Sequence, residues 1–244
     1  MDRTDGRIIN TVSVAMAAYN GEKFIKPQIE SIISQLRSCD ELVISYDKST
    51  DRTYEILMEY SQKYPIVKIV NDPGSGVFSN FENAIRNTTK DIVFISDQDD
   101  IWTDEKLNKV LEVFENSTAN MVIHNGVHIN AVNEVVSENF FSMHKIRKGI
   151  IRNFIKPRYS GCCIAFKKEL KELIIPIPRG VGAYDHWIGM IGERYGNVVF
   201  MDDILLRHRL HDDNVTVSRR DIKTIIKARF TLMSELIRRK KARK

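Results

Sequence analysis

Residues 91–102, DIVFISDQDDIW, decide the fold class of this chain. The apolar run from Ile92 to Ile95 has the composition and length of a short buried strand. Three carboxylates follow it, on Asp97, Asp99 and Asp100. In open α/β sheets, ligands bind beyond the carboxyl ends of the strands. We therefore expect the acidic cluster to lie at the functional edge of a parallel sheet.

Two interpretations of the acidic cluster are open from this stretch alone. In the first, Asp97, Gln98 and Asp99 form an Asp-x-Asp motif, whose neighbouring carboxylates repel each other unless a cation lies between them. Oxygen ligands suit Mg²⁺ or Mn²⁺, usually shared with the phosphates of a substrate. In the second, the acids form a turn that caps the next helix, with Thr103 or Asp104 as the N-cap.

Strands and helices alternate along the chain on both sides of this stretch. Further strands are predicted at 11–18, 41–46, 66–70, 121–129, 159–166, 198–201 and 204–211. Helices are predicted at 22–36, 52–64, 78–87, 103–115 and 183–195. This alternation, with polar loops at the strand ends, predicts a mainly parallel, doubly wound α/β sheet. Residues 130–157 fit neither pattern, and we expect a mobile or substrate-facing insertion there.

Composition narrows the class of protein. The 244 residues, 43% of them hydrophobic, can bury one substantial core. No segment approaches the ~20 apolar residues of a membrane-spanning helix, and residues 1–10 lack the apolar core of a signal peptide. Cys39, Cys162 and Cys163 fit neither a disulfide framework nor a metal-site spacing. We therefore expect a soluble, cytoplasmic protein with reduced cysteines.

The net charge of +5 is concentrated in the tail. Residues 219–244 contain eleven Lys or Arg and two acids, a charge of +9, so residues 1–218 carry −4. We expect a domain at 1–218 and a basic tail at 219–244. Apolar residues at 222, 225, 226, 230, 233, 236 and 237 form one helical stripe. The tail is therefore predicted to be a basic amphipathic helix on an anionic membrane surface, at the inner face of the cell membrane. Alternatively, the stripe packs on the domain or on a second subunit.

A series of segments in chain order resembles the inverting glycosyltransferases of family 2, which have the GT-A fold. The segments are VAMAAYNGEKFI, DELVISYDKSTDRT, GVFSNFENAI, SDQDDIW, SGCCIAFKKEL, YDHWI and RHRLHDDNVT, and together they span about residues 12–216. The DQDDIW, DHWI and late RHRLHDDN pieces most resemble the rhamnosyltransferase-like branch, which builds bacterial surface polysaccharides. The resemblance implies a nucleoside-diphosphate sugar donor, a saccharide or lipid-linked acceptor, and Mn²⁺ or Mg²⁺. A dTDP-rhamnose donor and a UDP-sugar donor are both open, and no nucleic acid partner is expected.

Site residues follow from the resemblance position by position. Asp99 matches the metal ligand, and His211 matches a late histidine that contributes to the metal or the diphosphate. Asp185 in YDHWI matches the general base that removes the acceptor proton. The residues that match donor contacts are Tyr19, Asp47, Asn80 and Asp97.

Each of these residues also has a purely structural interpretation. Asp185 and Asn80 can be helix caps. His211 can be a structural histidine, and Tyr19 can pack on the core at a strand end. One departure from the family pattern concerns the second-strand loop, which usually reads Asp-Asp-Gly-Ser-Thr-Asp. Here residues 46–51 read YDKSTD, so Lys48 has to form the turn without the conformational freedom of glycine.

Two other functional classes remain open beside a glycosyltransferase. One is another phosphate-handling α/β enzyme, such as a nucleotidyltransferase or a phosphatase. However, the chain has no Gly-x-x-x-x-Gly-Lys loop, and no Gly-x-Gly-x-x-Gly follows the first strand. The other is a non-catalytic protein that docks on a membrane or on nucleic acid through its basic tail. The joint presence of Asp97, Asp99 and Asp185 argues against a domain that has lost its chemistry.

Overall fold

A mixed sheet of eight strands, six of them parallel, organises the described part of the chain. The structure is a computed structural model that describes residues 3–4, 7–8, 10–74, 76–211 and 221–242, with side chains described at 10–74, 76–211 and 221–239. The strands are β1 (Arg3–Thr4), β2 (Arg7–Ile8), β3 (Val12–Ala18), β4 (Glu41–Tyr46), β5 (Val67–Asn71), β6 (Ile92–Ser96), β7 (Ile101–Trp102), β8 (Met121–Ile129), β9 (Ile164–Lys167) and β10 (Val198–Arg209). The sheet order is β5-β4-β3-β6-β9-β8-β10-β7, and β1 and β2 pair separately. Only β9 and β7 run antiparallel to their neighbours in this sheet.

Helices cover both faces of the sheet. They are α1 (Ile25–Ile33), α2 (Thr53–Lys63), α3 (Val77–Arg86), α4 (Lys106–Asn116), α5 (Phe140–His144), α6 (Ile150–Ile155), α7 (Lys171–Ile174), α8 (Tyr184–Tyr195) and α9 (Ile222–Ala242). Successive strand residues point to opposite faces, so Ile92 and Phe94 of β6 join the core under α1, α2 and α4. Val93 and Ile95 join the core under α3, α8 and α9. The predicted doubly wound, mainly parallel sheet is confirmed.

Three local predictions were wrong, each because of a contact distant in sequence. The strand predicted at 159–166 begins only at Ile164, because residues 161–163 form a 3-10 turn. The two strands predicted at 198–201 and 204–211 are one strand, β10, with register shifts after Met201 and after Ile204. Neither Thr103 nor Asp104 caps α4, whose N-cap position is Glu105. Instead, Gln35 accepts a hydrogen bond from the Leu107 amide at 3.1 Å.

The insertion at 130–157 contains two short helices, α5 and α6. Asn139 caps α5 by accepting a hydrogen bond from the Ser142 amide at 3.0 Å. Phe140 is buried, so α5 is anchored to the core at its first residue. Asn153 of α6 is also buried, and its side chain donates to Glu193 of α8 at 2.6 Å. The segment is therefore tied to the sheet and to α8.

The C-terminal helix α9 packs on the domain with one face and exposes apolar residues on another. Ala228, Leu232 and Leu236 are buried. The residues Ile222, Ile226, Phe230, Met233 and Ile237, which recur at helical spacing, are exposed. Of the stripe predicted from the sequence, Leu236 is buried on the packed face and the other members are exposed. The predicted domain boundary at 218/219 and the side chains of the polybasic end from residue 240 onward lie outside the described residues.

None of the helices in the described ranges combines the length and the apolarity that crossing a membrane requires.

Glu41, at the amino end of β4, is a buried carboxylate that joins three neighbouring segments. It accepts hydrogen bonds from Ser13 Oγ, Lys68 Nζ and the Thr89 amide, each at 2.6 Å. Burial alone raises the pKa of Glu41, but these donors outweigh burial and lower the pKa below its ordinary value. The amino ends of β3, β4, β5 and β6 are thus held by one charged group.

We predict that Glu41→Gln lowers the free energy of unfolding by about 2 kcal/mol at pH 7, because the neutral amide has one acceptor oxygen where the buried carboxylate accepts from Ser13, Lys68 and Thr89. Urea denaturation measures this change, with the exposed Glu59→Gln as a control that stays near wild type. Because the pKa of Glu41 is lower in the folded state, its stabilisation is present above the ordinary glutamate pKa of about 4.3 and is lost as the pH falls below it. A difference between wild type and Glu41→Gln that stayed constant down to acid pH would contradict this account.

Candidate active site

The residues predicted to bind a donor converge on the carboxyl end of β3. The Asn80 side chain donates to the Ala18 carbonyl at 3.0 Å, and the Asp47 amide donates to the same oxygen at 2.9 Å. Asp47 Oδ2 accepts from the Gly76 amide at 3.0 Å, which ties the loop after β4 to the start of α3. Tyr19 is 52% exposed, so its ring is available to a ligand rather than packed in the core. Asn80 Oδ1 is buried without a partner among the described residues.

The loop after β4 closes without a glycine. The non-glycine residues of positive φ in the described chain are Asn20, Asn133 and Lys145, and Lys48 is not among them. Asn20, in the loop after β3, has φ +47° and accepts a hydrogen bond from the Thr50 amide at 2.8 Å. The left-handed residue therefore lies in the neighbouring loop, where asparagine tolerates that conformation. Lys48 needs no conformational freedom beyond that of an ordinary residue.

Gln98 joins the Asp-x-Asp loop to the loop after β3. Its Nε2 donates to the Tyr19 carbonyl at 2.7 Å, and its Oε1 accepts from the Tyr19 amide at 2.9 Å. A Cβ at Gly21 would overlap the Gln98 side chain, so the close approach requires glycine at this position. The side-chain amide thus pairs with the Tyr19 backbone much as a neighbouring strand would. Gln98 holds Tyr19 beside the acids.

Asp97 connects the acidic loop to the first turn of α8. Tyr184 Oη donates to Asp97 Oδ1 at 3.2 Å. The Tyr184 ring stacks on Phe81 of α3, with centroids 4.0 Å apart, and fills the space that a side chain at Gly161 would occupy. Burial, then the charges of Asp100 and Asp99, raise the pKa of Asp97 to about 8.

Asp99 and His211, the two predicted metal ligands, lie together. His211 Nε2 is 2.8 Å from Asp99 Oδ2, although the residues are far apart in sequence. Burial, followed by the charge of Asp100, raises the pKa of Asp99, and the contact with His211 opposes that rise. The His211 ring also lies 4.9 Å from the ring of Phe24. The structure therefore places one carboxylate and one imidazole side by side at the mouth of the acidic loop.

A second group of side chains that could hold a metal ion lies beside the same loop and is more deeply buried. One ligand atom from each of Asp97, Asp100, Cys162 and His208 falls within 4.8 Å of the others. Asp100 is fully buried, its Oδ1 is 2.8 Å from His208 Nδ1, and its Oδ2 has no hydrogen-bond partner among the described residues. Burial lowers the pKa of His208, but the charge and hydrogen bond of Asp100, together with the charges of Asp97 and Asp99, outweigh burial and raise it to about 9.

Two further cations compensate the acids from within the protein. The backbone amide of Arg209 donates to Asp100 Oδ1 at 3.2 Å, and its Nε donates to the Asp99 carbonyl at 3.1 Å. Lys106 is 1% exposed, donates to the Cys162 carbonyl at 2.9 Å and lies over the Trp102 ring. Burial lowers the pKa of Lys106 to about 8, while the charges of the nearby cysteines and acids oppose the shift.

Asp185 lies in the first turn of α8, beside the residue that contacts Asp97. The helix N-cap position is Ala183, but Asp185 Oδ1 accepts a hydrogen bond from the His186 amide at 2.6 Å and so satisfies one free N–H group of the first turn. The structural interpretation of Asp185 and its interpretation as a base are therefore both open. Its two neighbours on the C-terminal side are committed to packing: His186 Nε2 meets the Asn153 carbonyl at 2.9 Å, and Trp187 Nε1 donates to the Ile174 carbonyl at 2.7 Å. Burial is the main reason that the pKa of His186 is lowered to about 4, and this imidazole is therefore neutral at pH 7. Asp185 itself is half-buried.

The side chains that could bind a metal form a ligand set that fits a hard or borderline divalent ion. Asp97, Asp99 and Asp100 offer carboxylate oxygens, and His208 and His211 offer imidazole nitrogens. The unpartnered Oδ2 of Asp100 is a buried acceptor of the kind that a bound cation satisfies. Carboxylates and imidazoles together suit Mn²⁺, and carboxylates alone suit Mg²⁺.

Comparison with known sequences places the chain in a family. The sequence model of "Glycosyl transferase family 2" matches residues 13–174, about two thirds of the chain. This chain belongs to glycosyl transferase family 2. A dTDP-rhamnosyl transferase, RfbG of Shigella flexneri, is 32% identical over 167 residues, which cover 63% of this chain and 54% of that protein. The chain thus spans about half the length of this curated relative.

Solved family 2-like structures share the fold. TarS of S. aureus (residues 1–349, with UDP-GlcNAc) has a TM-score of 0.75 at 17% identity, covering 93% of this chain and 66% of that one. The mannosyltransferase PcManGT of Pyrobaculum calidifontis, with GDP-Man and Mn²⁺, has a TM-score of 0.64 at 17% identity, covering 95% and 74%. At these identities the likeness establishes the GT-A fold of the chain.

Sequence reasoning missed several residues that build the site. Gln98 lies inside the Asp-x-Asp motif, and Asp100 and His208 lie inside the quoted DQDD and RHRLH segments, so their position was visible but their partners were not. Cys162 and Lys106 gave no signal, because their roles depend on burial against distant segments.

Proposed function

We propose that the chain carries out metal-dependent, inverting transfer of a sugar from a nucleoside-diphosphate sugar to an acceptor hydroxyl. The observation that carries the proposal is the contact between Tyr184 and Asp97, since it brings the acidic loop and the head of α8 into one site. The acids of the loop offer ligands for the cation that accompanies a diphosphate. Asp185 is adjacent in sequence to Tyr184, which makes this contact. The family match favours this reaction over a nucleotidyltransferase, a phosphatase or a non-catalytic docking protein.

Donor binding falls to the loops after β3 and β4. Tyr19 offers an exposed ring for stacking on a nucleotide base, and Gln98 holds the backbone that carries it. Asp47 and Asn80 stand at the end of β3, where a base or ribose can meet a carboxylate and an amide. The likeness to RfbG supports dTDP-rhamnose as the donor, with UDP-sugars as the alternative. The resemblance of the DQDDIW, DHWI and RHRLHDDN segments to the rhamnosyltransferase-like branch supports a role in making bacterial surface polysaccharide.

Asp99 and His211 are our first candidates for holding Mn²⁺ or Mg²⁺, and Asp97, Asp100 and His208 form the alternative ligand set. A bound divalent ion supplies charge stabilisation for the departing diphosphate. PcManGT, which was solved with GDP-Man and Mn²⁺, supports Mn²⁺ as the ion.

Asp185 is proposed to remove the proton of the acceptor hydroxyl. A carboxylate in this position accepts the proton as the oxygen attacks the anomeric carbon, and direct displacement inverts that centre. The neighbouring His186 cannot take this role, because its Nε2 is engaged by the Asn153 carbonyl inside the core.

We also propose that α9 docks on an anionic membrane surface. Its exposed stripe of Ile222, Ile226, Phe230, Met233 and Ile237 provides the apolar face. Lys223 and Lys227 are exposed on the same helix and provide positive charge. A cytoplasmic protein docked in this way would meet lipid-linked acceptors at the inner face of the membrane.

The first prediction from the proposed function concerns the metal. Asp99→Ala is expected to abolish stimulation by divalent cations and nearly all transfer, with the fold intact, because the cation loses a carboxylate ligand. Transfer from nucleotide sugars with and without Mn²⁺ measures this effect, with the exposed Asp104→Ala as control. Normal Mn²⁺ stimulation in Asp99→Ala, together with its loss in Asp100→Asn, would assign the ion to the deeper ligand set.

The second prediction concerns the base. Asp185→Asn is expected to bind the donor normally and to lower the turnover number by roughly 10²–10⁴-fold, because an amide cannot accept the proton. Steady-state kinetics and a donor-binding assay separate the two effects, with Asp104→Asn as control. Equal losses of donor affinity and turnover would indicate a structural role instead, and a product of retained configuration would rule out direct displacement.

The third prediction concerns the membrane. Ile226→Ser/Phe230→Ser and Lys223→Gln/Lys227→Gln are each expected to weaken co-sedimentation with anionic vesicles, each lysine by about 1 kcal/mol. Both pairs leave the packed face of α9 unchanged, and Val132→Ser/Val135→Ser, at another exposed site, serves as control. Vesicle binding that does not depend on the content of anionic lipid would refute docking on an anionic surface. Vesicle-independent self-association that is lost in Ile226→Ser/Phe230→Ser would assign the stripe to a second subunit.

A further inference from the structure

A cleft of about 450 Å³ lies beside the acidic loop and is lined by basic side chains. It is formed by α5, by residues 145–146 and 156–160, and by the carboxyl ends of β8 and β10. Its basic and imidazole side chains are His128, His144, Lys145, Lys156, Arg158 and His208. We refer to this space as the basic cleft.

Among the ion pairs of the described residues, an acid meets the basic cleft at its deep end, where His208 pairs with Asp100 at 2.8 Å, and not at its rim. None of the described residues that line it is Asp or Glu, and Lys145, Lys156 and Arg158 form no ion pair with any described acid. Arg158 donates to the carbonyls of His144 and Lys145, and its Nε is buried without a described partner. Burial, then the charges of Arg158 and Lys156, lower the pKa of His144, which is consistent with a positive potential at the rim. A recess whose rim carries mainly positive charge concentrates ligands of the opposite sign.

The basic cleft adjoins the site at the opposite end from the proposed donor loops. It shares His208 with the deeper acidic group, and Ser160 of its wall lies 3.2 Å from Cys162, Oγ to Sγ. The residues proposed to contact the donor lie after β3 and β4, whereas the cleft lies after β8 and β10. Strand β9 separates β6 from β8 in the sheet, so the two regions flank the acids from different sides.

We propose that the basic cleft binds a phosphate group carried by the acceptor. This inference rests on the proposed function, and it adds the chemical class of the second substrate. Lysine and arginine side chains are the usual protein partners of phosphate oxygens. The apolar side chains of Phe140, Met143 and Ile146 line the same space, so the phosphate is attached to a group with carbon surface. A lipid-linked diphosphate and a phosphorylated polyol share this phosphate chemistry.

Lys145→Gln/Lys156→Gln tests the proposal without removing the hydrogen bonds of Arg158. Both lysines are exposed, so the substitutions are compatible with folding. The matched control is Lys63→Gln/Lys90→Gln, which removes the same charge at the amino-end edge of the sheet. The probes are geranyl diphosphate, glycerol 3-phosphate and uncharged geraniol, titrated calorimetrically into protein saturated with a nucleoside diphosphate and Mn²⁺, so that the donor site is occupied.

We expect wild type and the control pair to bind a phosphorylated probe more tightly than geraniol, and Lys145→Gln/Lys156→Gln to lose about tenfold in that affinity. A preference for geranyl diphosphate over glycerol 3-phosphate would identify a lipid-linked acceptor, and the reverse preference a polyol phosphate. Equal affinities of the variant and the control, or equal binding of geraniol, would overturn the proposal. Weakened nucleoside diphosphate binding in Lys145→Gln/Lys156→Gln would also overturn it, because the cleft would then hold the donor diphosphate.

The same titrations separate this proposal from the proposed function. Failure of nucleoside diphosphates to bind to wild type, with or without Mn²⁺, would refute glycosyl transfer by this chain. Phosphorylated probes titrated without nucleotide would then still report on the cleft alone. Conversely, normal nucleotide binding with charge-independent probe binding would refute only the acceptor phosphate.

Discussion

The crowding of three carboxylates at the end of β6 is the constraint on which the site depends. Asp97, Asp99 and Asp100 repel one another in a partly buried loop. Burial, then the charges of Asp100 and Asp99, raise the pKa of Asp97 to about 8. The fold answers this repulsion with positive groups from distant parts of the chain. Lys106 approaches from the start of α4, and the end of β10 brings two imidazoles and a guanidinium. A charge cluster of this kind is costly in an apoprotein, and the cation proposed above would offset part of that cost.

Strand pairing sets the geometry of that compensation. β7 follows Asp100 directly and pairs antiparallel with β10, with Arg207 opposite Ile101. This pairing places the residues after Arg207 beside the acids. Because β10 also pairs in parallel with β8, the carboxyl ends of both strands open on the same edge. The register shifts within β10 are thus part of the site, since they determine which residue of the segment meets which carboxylate.

Local pattern was sufficient to predict the double winding, the strands before residue 130 and the position of the acidic cluster at a strand end. Alternating apolar runs predict strands, and polar residues at their carboxyl ends predict a ligand edge. The pairing of Asp99 with His211 was anticipated only through the resemblance, since no local pattern connects residues so far apart. The cap of α4 by Gln35, the burial of Lys106 and the role of Gln98 depend on contacts between remote segments, which periodicity does not report. The position of the tail helix was also beyond local pattern, because a hydrophobic stripe does not show which of its residues the rest of the domain covers.

The pairing of Gln98 with Tyr19 bears on how position 19 can evolve in this chain. Gln98 forms its two hydrogen bonds with the backbone amide and carbonyl of residue 19, and neither bond involves the side chain of that residue. The ring at position 19 can therefore be exchanged by mutation while the loop that carries it keeps its shape. Gly21 has no such freedom as long as glutamine stands at position 98, because any side chain would collide with it. The loop thus contains one position that tolerates substitution, residue 19, and one that does not, residue 21.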